Sequence, residues 1–404
     1  MNHEMERAKT GLLISIIICL IFCFAACGNH AEPETTSTAE TSSTAETSSA
    51  AETIPTAETA TFEVHFIDVG QGDSSLIICE GETMLIDGGS SANSSLIYSY
   101  LANHGIDHLK YIVATHQDED HIGGLSGALK YVSADIAYCG DAELGDSKAF
   151  ENFTKYLGDT ELSVPEPGTE IMLGSASGTV LAPINKGEDD NDNSLVIRIE
   201  YGSTSFLFTG DAQQAEEADI LNSGAGISST VLKVAHHGSS SSTTKKFLDA
   251  VSPEFAIISC GAANDYRHPA DKVLRRMKRA GVTLYRTDLQ GTIICRSDGE
   301  ALSFEVERNP DANTYQTYVE LYPQVTEPQE PSGSQDASAA GQSENNETAD
   351  YILNKSSLII HVPSCEAVAK MSESNKIYIY DLSLEDVLAQ YPDYHICQFC
   401  NAQR

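Results

Sequence analysis

Basic side chains are scarce in this sequence. Its 404 residues hold 24 Lys and Arg against 59 Asp and Glu, a formal charge of −35, which excludes a uniformly basic surface of the kind that grips nucleic acid across a whole domain. Long apolar runs are also lacking. The run from Gly11 to Ala26 falls short of the roughly 20 residues that a membrane-spanning helix needs. The glycines of "DVGQGDS" (Asp68–Ser74) fit neither a P-loop nor G-x-G-x-x-G, so they indicate a tight turn rather than a phosphate cradle. Cys79, Cys139, Cys260 and Cys295 have no Cys-x-x-Cys spacing and read as buried free thiols.

The termini of the main body are equally poor in material for a core. Arg7 and Lys9 precede the Gly11–Ala26 run, the order expected of a secretion signal. "FAAC" resembles a bacterial lipobox, which implies lipidation at Cys27 and a protein anchored to the outer face of the cell membrane. Phe24 replaces the usual leucine, and a plain secretory signal or an uncleaved anchor would export the chain equally. Residues 28–61 form a Thr/Ser/Ala/Glu tether and 309–349 a second low-complexity linker. These leave a large domain at 62–308 and a small one at 350–404.

The charge is unevenly spread. The tethers carry 13 acids with no Lys or Arg, whereas Lys233–Arg286 holds ten Lys and Arg against four Asp and Glu. Within it, "HPADKVLRRMKRAG" has Pro269 near a helix start and Gly281 past its end. Lys272, Arg275, Arg276 and Arg279 form a basic face suited to phosphates, or an ordinary solvated one; Val273 and Met277 would face the core.

Strand, turn and helix signals alternate from "TFEVHFIDVG" through "EFAIISC", which predicts an α/β domain with functional groups at strand ends. The densest group is "THQDEDHIGG" (Thr115–Gly124), directly after the apolar "YIVA". Clustering His116, Asp118, Asp120 and His121 without a cation is costly. In extended chain His116 and Asp118 share a face and would hold one metal; Asp120 and His121 would hold a second.

"FIDVGQGDSSLI", "MLIDGG", "THQDEDHIGG", "NSLVIRI", "FLFTGD", "VLKVAHHGSSSS", "YRHP" and "YRTDLQG" follow in an order that resembles metallo-β-lactamase-fold hydrolases, specifically the ComEC-type hydrolase domain of DNA-uptake proteins. The resemblance covers about 62–306 and implies the αβ/βα sandwich. It also implies that Asp211 bridges two metals and that His237, with His236 or His268, completes the ligand set. Asp120, Asp211 and His237 carry the catalytic expectation. Two divalent ions can activate a water as nucleophile without a serine. Asp118, where many superfamily members have histidine, makes Mn²⁺ as plausible as Zn²⁺ and speaks against lactam hydrolysis. Asp68, Asp73 and Asp87 either orient the ligands or cap turns. His30, His65, His104 and His108 are assigned no role.

In the tail, His361 and Cys365 with Cys397 and Cys400 supply a four-ligand shell for structural zinc, similar to Ada-type metal modules; His395 is a rival ligand and a disulfide the alternative. The functional expectation is an extracytoplasmic metal-dependent phosphodiesterase or nuclease acting on DNA. The alternatives are a phosphodiesterase of a wall polymer or choline-like head group, with wall contact, and a non-catalytic surface binding protein.

Overall fold

The computed structural model describes residues 62–141, 147–187, 189–324 and, in the tail, 349, 351–362, 365–372, 375–379 and 384–397. The signal run, Cys27, the first tether and Cys400 lie outside the described residues. Among those described, no helix is long and apolar enough to cross a membrane.

The strands of the large domain are β1 (Phe62–Phe66), β2 (Ser75–Cys79), β3 (Glu82–Ile86), β4 (His108–Ala114), β5 (Ser133–Cys139), β6 (Leu162–Ser163), β7 (Glu170–Leu173), β8 (Ala176–Ala182), β9 (Val196–Tyr201), β10 (Thr204–Phe208), β11 (Val231–Lys233), β12 (Phe255–Ile258), β13 (Thr283–Arg286), β14 (Ile293–Ser297) and β15 (Leu302–Val306). They form two mixed sheets, ordered β15-β14-β1-β2-β3-β4-β5-β6 and β13-β12-β11-β10-β9-β8-β7. Strand alternation decides which side chains meet. Phe62, Val64 and Phe66 of β1 point between the sheets with Ile77, Met84 and Val113, against Ile197, Phe206, Phe208 and Ile257 of the second sheet.

Both outer faces are covered by helices. Ile97 and Leu101 of α1 (Ser94–Asn103) and the short α2 (Glu119–Ile122) and α3 (Leu125–Ala128), with Phe153 of α4 (Lys148–Leu157), pack over Leu76, Leu85 and Ile112. On the far side α5 (Gln214–Ser223), α6 (Lys245–Val251) and α7 (Asp271–Arg279) supply Ile220, Phe247, Leu248, Val273 and Met277 over Leu207, Leu232 and Ile258. The result is a four-layer αβ/βα sandwich with apolar material filling all three interfaces.

Two expectations need correction. Arg276 does not belong to an exposed basic face: it is buried, and its Nη1 donates to the carbonyl of Thr243 at 2.9 Å. The α7 stripe of Val273, Leu274 and Met277 is broad enough to carry position 276 inward as well. Arg275, Lys278 and Arg279 remain exposed, and Lys272 is half-buried. Second, ordered chain runs past the expected boundary at 308. The buried Arg286, paired with Asp288 at 2.6 Å, donates to the carbonyls of Thr314 and Gln316. Those carbonyls satisfy a buried guanidinium, so residues 309–318 are structural members of the domain.

The tail forms a separate sheet of four short strands around Leu353, Ile360, Ile379 and Val387.

Candidate active site

The site lies where chain leaves the strand ends. β3 and β4 run parallel, as do β10, β11 and β12, so the loops after them open on one edge of the sandwich. Asp87 follows β3, His116 to His121 follow β4, Asp211 follows β10, and His236 and His237 follow β11. Gly72, at φ +131°, lets the "DVGQGDS" turn press on this loop: a Cβ there would clash with the Asp120 carbonyl oxygen. His236 and His237 both hold left-handed φ values, 50° and 54°. Such backbone costs on the order of 1–2 kcal/mol per residue and is retained where it aims a functional side chain.

Four side chains converge most tightly. His121 Nε2 lies 3.2 Å from Asp211 Oδ1 and 3.3 Å from His237 Nε2. His237 Nε2 is in turn 3.3 Å from Asp120 Oδ2 and 3.4 Å from Asp211 Oδ2. His116, His121 and Asp211 bring ligand atoms within 4.8 Å of one another, as do Asp120, His121 and His237. His121 is thus central to both groups rather than confined to a pair with Asp120. Asp118 is peripheral, with its side chain 47% exposed and Oδ2 3.6 Å from His116 Nε2. His236 sits at the rim, its Nε2 3.7 Å from Asp211 Oδ2. His268 is reached through rings only, 5.7 Å from His236 and 6.3 Å from His237 between centroids.

The outer nitrogens are already engaged. His121 Nδ1 lies 2.9 Å from Asp87 Oδ2, and the same aspartate accepts from the Thr115 amide and hydroxyl. His237 Nδ1 lies 3.0 Å from the Ser259 carbonyl and 3.2 Å from Asp73 Oδ1. An Nδ1–H on each ring leaves two Nε2 lone pairs facing one another, an arrangement that a bound cation satisfies. His116 Nε2 and Asp211 Oδ1 are buried with no hydrogen-bond partner. The donor set therefore fits divalent metal, with nitrogen and oxygen ligands of the type that suits Zn²⁺ or Mn²⁺.

Burial opposes ionisation of Asp211, but His121 and His237 outweigh it and hold the carboxyl well below its usual range. Asp120 behaves alike, burial being overcome by His237 and then His121. The two histidines are correspondingly raised, against burial, by Asp211 and their other carboxylate partners. His268 is pushed down to about 4 by burial, then by His237 and His236.

Residues 67–262 match the model of the metallo-beta-lactamase superfamily. The large domain has the metallo-beta-lactamase fold and is similar to that superfamily over this span. Its relatives include "ComE operon protein 3" of Bacillus subtilis, 31% identical over 60% of this chain and 34% of that one. "Competence protein ComA" of Neisseria gonorrhoeae is 33% identical over 56% of this chain and 31% of its own. "Recombination protein 2" of Haemophilus influenzae is 32% identical over 58% and 28% respectively. The chain spans about a third of the length of these relatives.

Several residues of the metallo-β-lactamase domain support the site without an obvious motif. Lys233, buried in β11, pairs with Asp73 Oδ2 at 2.6 Å; a lysine inside the apolar "VLKVA" was the available signal. Ser194 Oγ accepts from the Asp211 amide at 3.1 Å. Of the three supporting aspartates, Asp73 and Asp87 reach the ligand histidines, whereas Asp68 accepts from the Gly70 amide and pairs with Arg308. His65 is bound to Tyr100 within the α1 face. Cys79, Cys139, Cys260 and Cys295 are free and buried.

In the tail, His361, Cys365 and Cys397 place ligand atoms within 4.8 Å of one another, and His361 Nδ1 lies 3.3 Å from Cys365 Sγ. Cys365 and Cys397 are both buried. His395 is exposed on its strand and is not among the three.

Proposed function

We propose that the large domain acts as a binuclear metal-dependent phosphodiesterase whose substrate is DNA, exported and held at the outer face of the cell membrane through Cys27. The observation that carries the reading is the convergence of His116, His121 and Asp211 with Asp120, His121 and His237, within which His116 Nε2 and Asp211 Oδ1 are buried without a hydrogen-bond partner. When bound, two divalent ions supply Lewis acidity and lower the pKa of water. The chain's own residues set the stage for that chemistry. Asp87 and the Ser259 carbonyl keep the protons of His121 and His237 on Nδ1, Asp211 and Asp120 present ionised carboxylates, and Ser194 fixes the Asp211 peptide. His268 is a neutral imidazole at neutral pH and stands beside the rim, where a phosphoryl oxygen or leaving group would lie.

Two features support DNA as substrate. One relative is named a competence protein and another a recombination protein, and α7, which begins three residues after His268, exposes Arg275, Lys278 and Arg279. A wall polymer or phosphorylated head group is favoured instead by the acidic balance of the folded parts. The tail is read as a structural zinc module built on His361, Cys365, Cys397 and Cys400.

The test is Mn²⁺- and Zn²⁺-dependent hydrolysis of linear DNA and bis(p-nitrophenyl) phosphate by residues 61–404, with Asp211→Ala and Asp118→Ala as controls. Cleavage of both, lost in Asp211→Ala, supports the nuclease reading. Cleavage of the small ester alone moves the assignment to the wall or head-group substrate, and no cleavage by metal-loaded protein overturns phosphodiester chemistry.

A further inference from the structure

Away from the histidine cluster, the first turn of α5 meets the loop that precedes β9. Glu216 is only 3% exposed, and neither of its carboxylate oxygens has a hydrogen-bond partner. Asp192 takes hydrogen bonds from the amides of Glu216 and Gln213, which places it against this turn, yet its Oδ1 is buried and unpartnered, as is Oδ1 of the adjacent Asn191. Four buried oxygens with no donor thus come from three consecutive-or-facing residues, and no nitrogen or sulfur ligand is among them. Asp219 and Asp189 add negative charge; Asn185 engages one oxygen of Asp219, and the Asn191 amide and Gln213 engage both of Asp189.

An uncompensated buried carboxylate costs several kcal/mol. Burial and then Asp192, Glu217 and Asp219 accordingly drive the Glu216 carboxyl well above its usual range. A proton would neutralise Glu216 alone, whereas the surplus of oxygens and charge is the donor set of a hard divalent ion.

We infer that Asp192 and Glu216, with Asn191, bind a structural divalent cation of the Ca²⁺ or Mg²⁺ class, separate from the histidine centre. Its place in the fold gives it a purpose. Ser194, which accepts from the Asp211 amide, follows the loop two residues after Asp192, and α5 begins three residues after Asp211. A cation joining Asp192 to Glu216 would therefore close the loop on both sides of the Asp211 peptide.

The experiment uses the full chain with its histidine centre saturated by Zn²⁺, titrated with Ca²⁺ and separately Mg²⁺, reading calorimetric stoichiometry and Tm. The expected result is one further ion bound and a Tm rise on the order of 5 °C at a hundredfold excess over Kd. Glu216→Gln and Asp192→Asn should each abolish both responses while zinc content stays unchanged. The second variant keeps a side-chain acceptor for the α5 amides, so it serves if the first misfolds. Absence of any response in the wild type overturns the inference. So does an undiminished response in the variants, or a Glu216→Gln protein that gains stability while the wild type ignores both ions, which would assign the site to a shared proton.

Discussion

His121 Nδ1 lies 2.9 Å from Asp87 Oδ2, and Asp87 holds this position from a left-handed backbone, φ 58°, at the end of β3. The contact fixes the tautomer that turns Nε2 inward. Asp87→Asn suits the same backbone, since Asn tolerates positive φ, but removes the carboxylate. Metal affinity should fall roughly 10- to 100-fold with the fold retained. Competition with a chelating dye measures this, and an unchanged affinity would show that Asp87 only secures Thr115.

Lys233 and Asp73 form a second support, buried behind His237. Burial opposes the charge on Asp73, but Lys233 and then His237 hold its carboxyl below the usual range. Lys233→Met strands that carboxylate, at an expected cost of about 3–5 kcal/mol. Asp73→Asn/Lys233→Met should recover much of the loss, because replacing both partners of a buried pair leaves no orphan charge. Urea denaturation of the cycle decides the matter: purely additive losses would mean that the pair is not coupled.

The sandwich was legible because strand parity and motif order agree: Phe62, Val64 and Phe66 alternate in sequence and all three are buried between the sheets. The loop "THQDEDHIGG" was legible as a cluster of metal-type donors for the same reason that it is costly without a cation. What spacing could not convey is sharing across the chain. His121 and His237 stand 116 residues apart, so spacing alone pairs His116 with Asp118 and Asp120 with His121, and only the order of the motifs brings in Asp211 and His237. The burial of Arg276 is not legible from its charge, because the carbonyls of Ser242 and Thr243 that satisfy it belong to a distant stretch of chain. The order of residues 309–318 was hidden by a composition that starts to look unstructured before the last contacts with Arg286 are made.

Glu217 predicts a pH dependence. Its carboxyl is pushed up to about 7 by burial, against hydrogen bonds from the Thr243 and Thr244 amides and the nearby Arg276. A group bound more tightly to its proton in the folded state than in the unfolded one adds stability that is complete below the ordinary value of 4.5. That contribution declines as pH rises and is gone above about 7. The decline amounts to roughly 3 kcal/mol at 1.36 kcal/mol per pH unit. Chemical denaturation in EDTA between pH 4.5 and 8 should show a flatter profile for Glu217→Gln than for the wild type. Parallel profiles would place the titration elsewhere.

The basic helix gives the sharpest contrast between structural and binding roles. Arg275 and Arg279 are exposed, whereas Arg276 is buried on the Ser242–Thr243 carbonyls. If α7 contacts phosphates, Arg275→Ala and Arg279→Ala should each weaken DNA binding without regard to sequence and lower the slope of log K against log salt by about 1. Arg276→Ala should act on stability instead, because it leaves two buried carbonyls without a donor, a loss of about 1–3 kcal/mol per unsatisfied group. Fluorescence anisotropy on a duplex from low to physiological salt, run beside thermal denaturation, separates the outcomes. Unchanged salt slopes in the Arg275 and Arg279 variants would remove α7 from the substrate path and strengthen the case for a smaller phosphodiester.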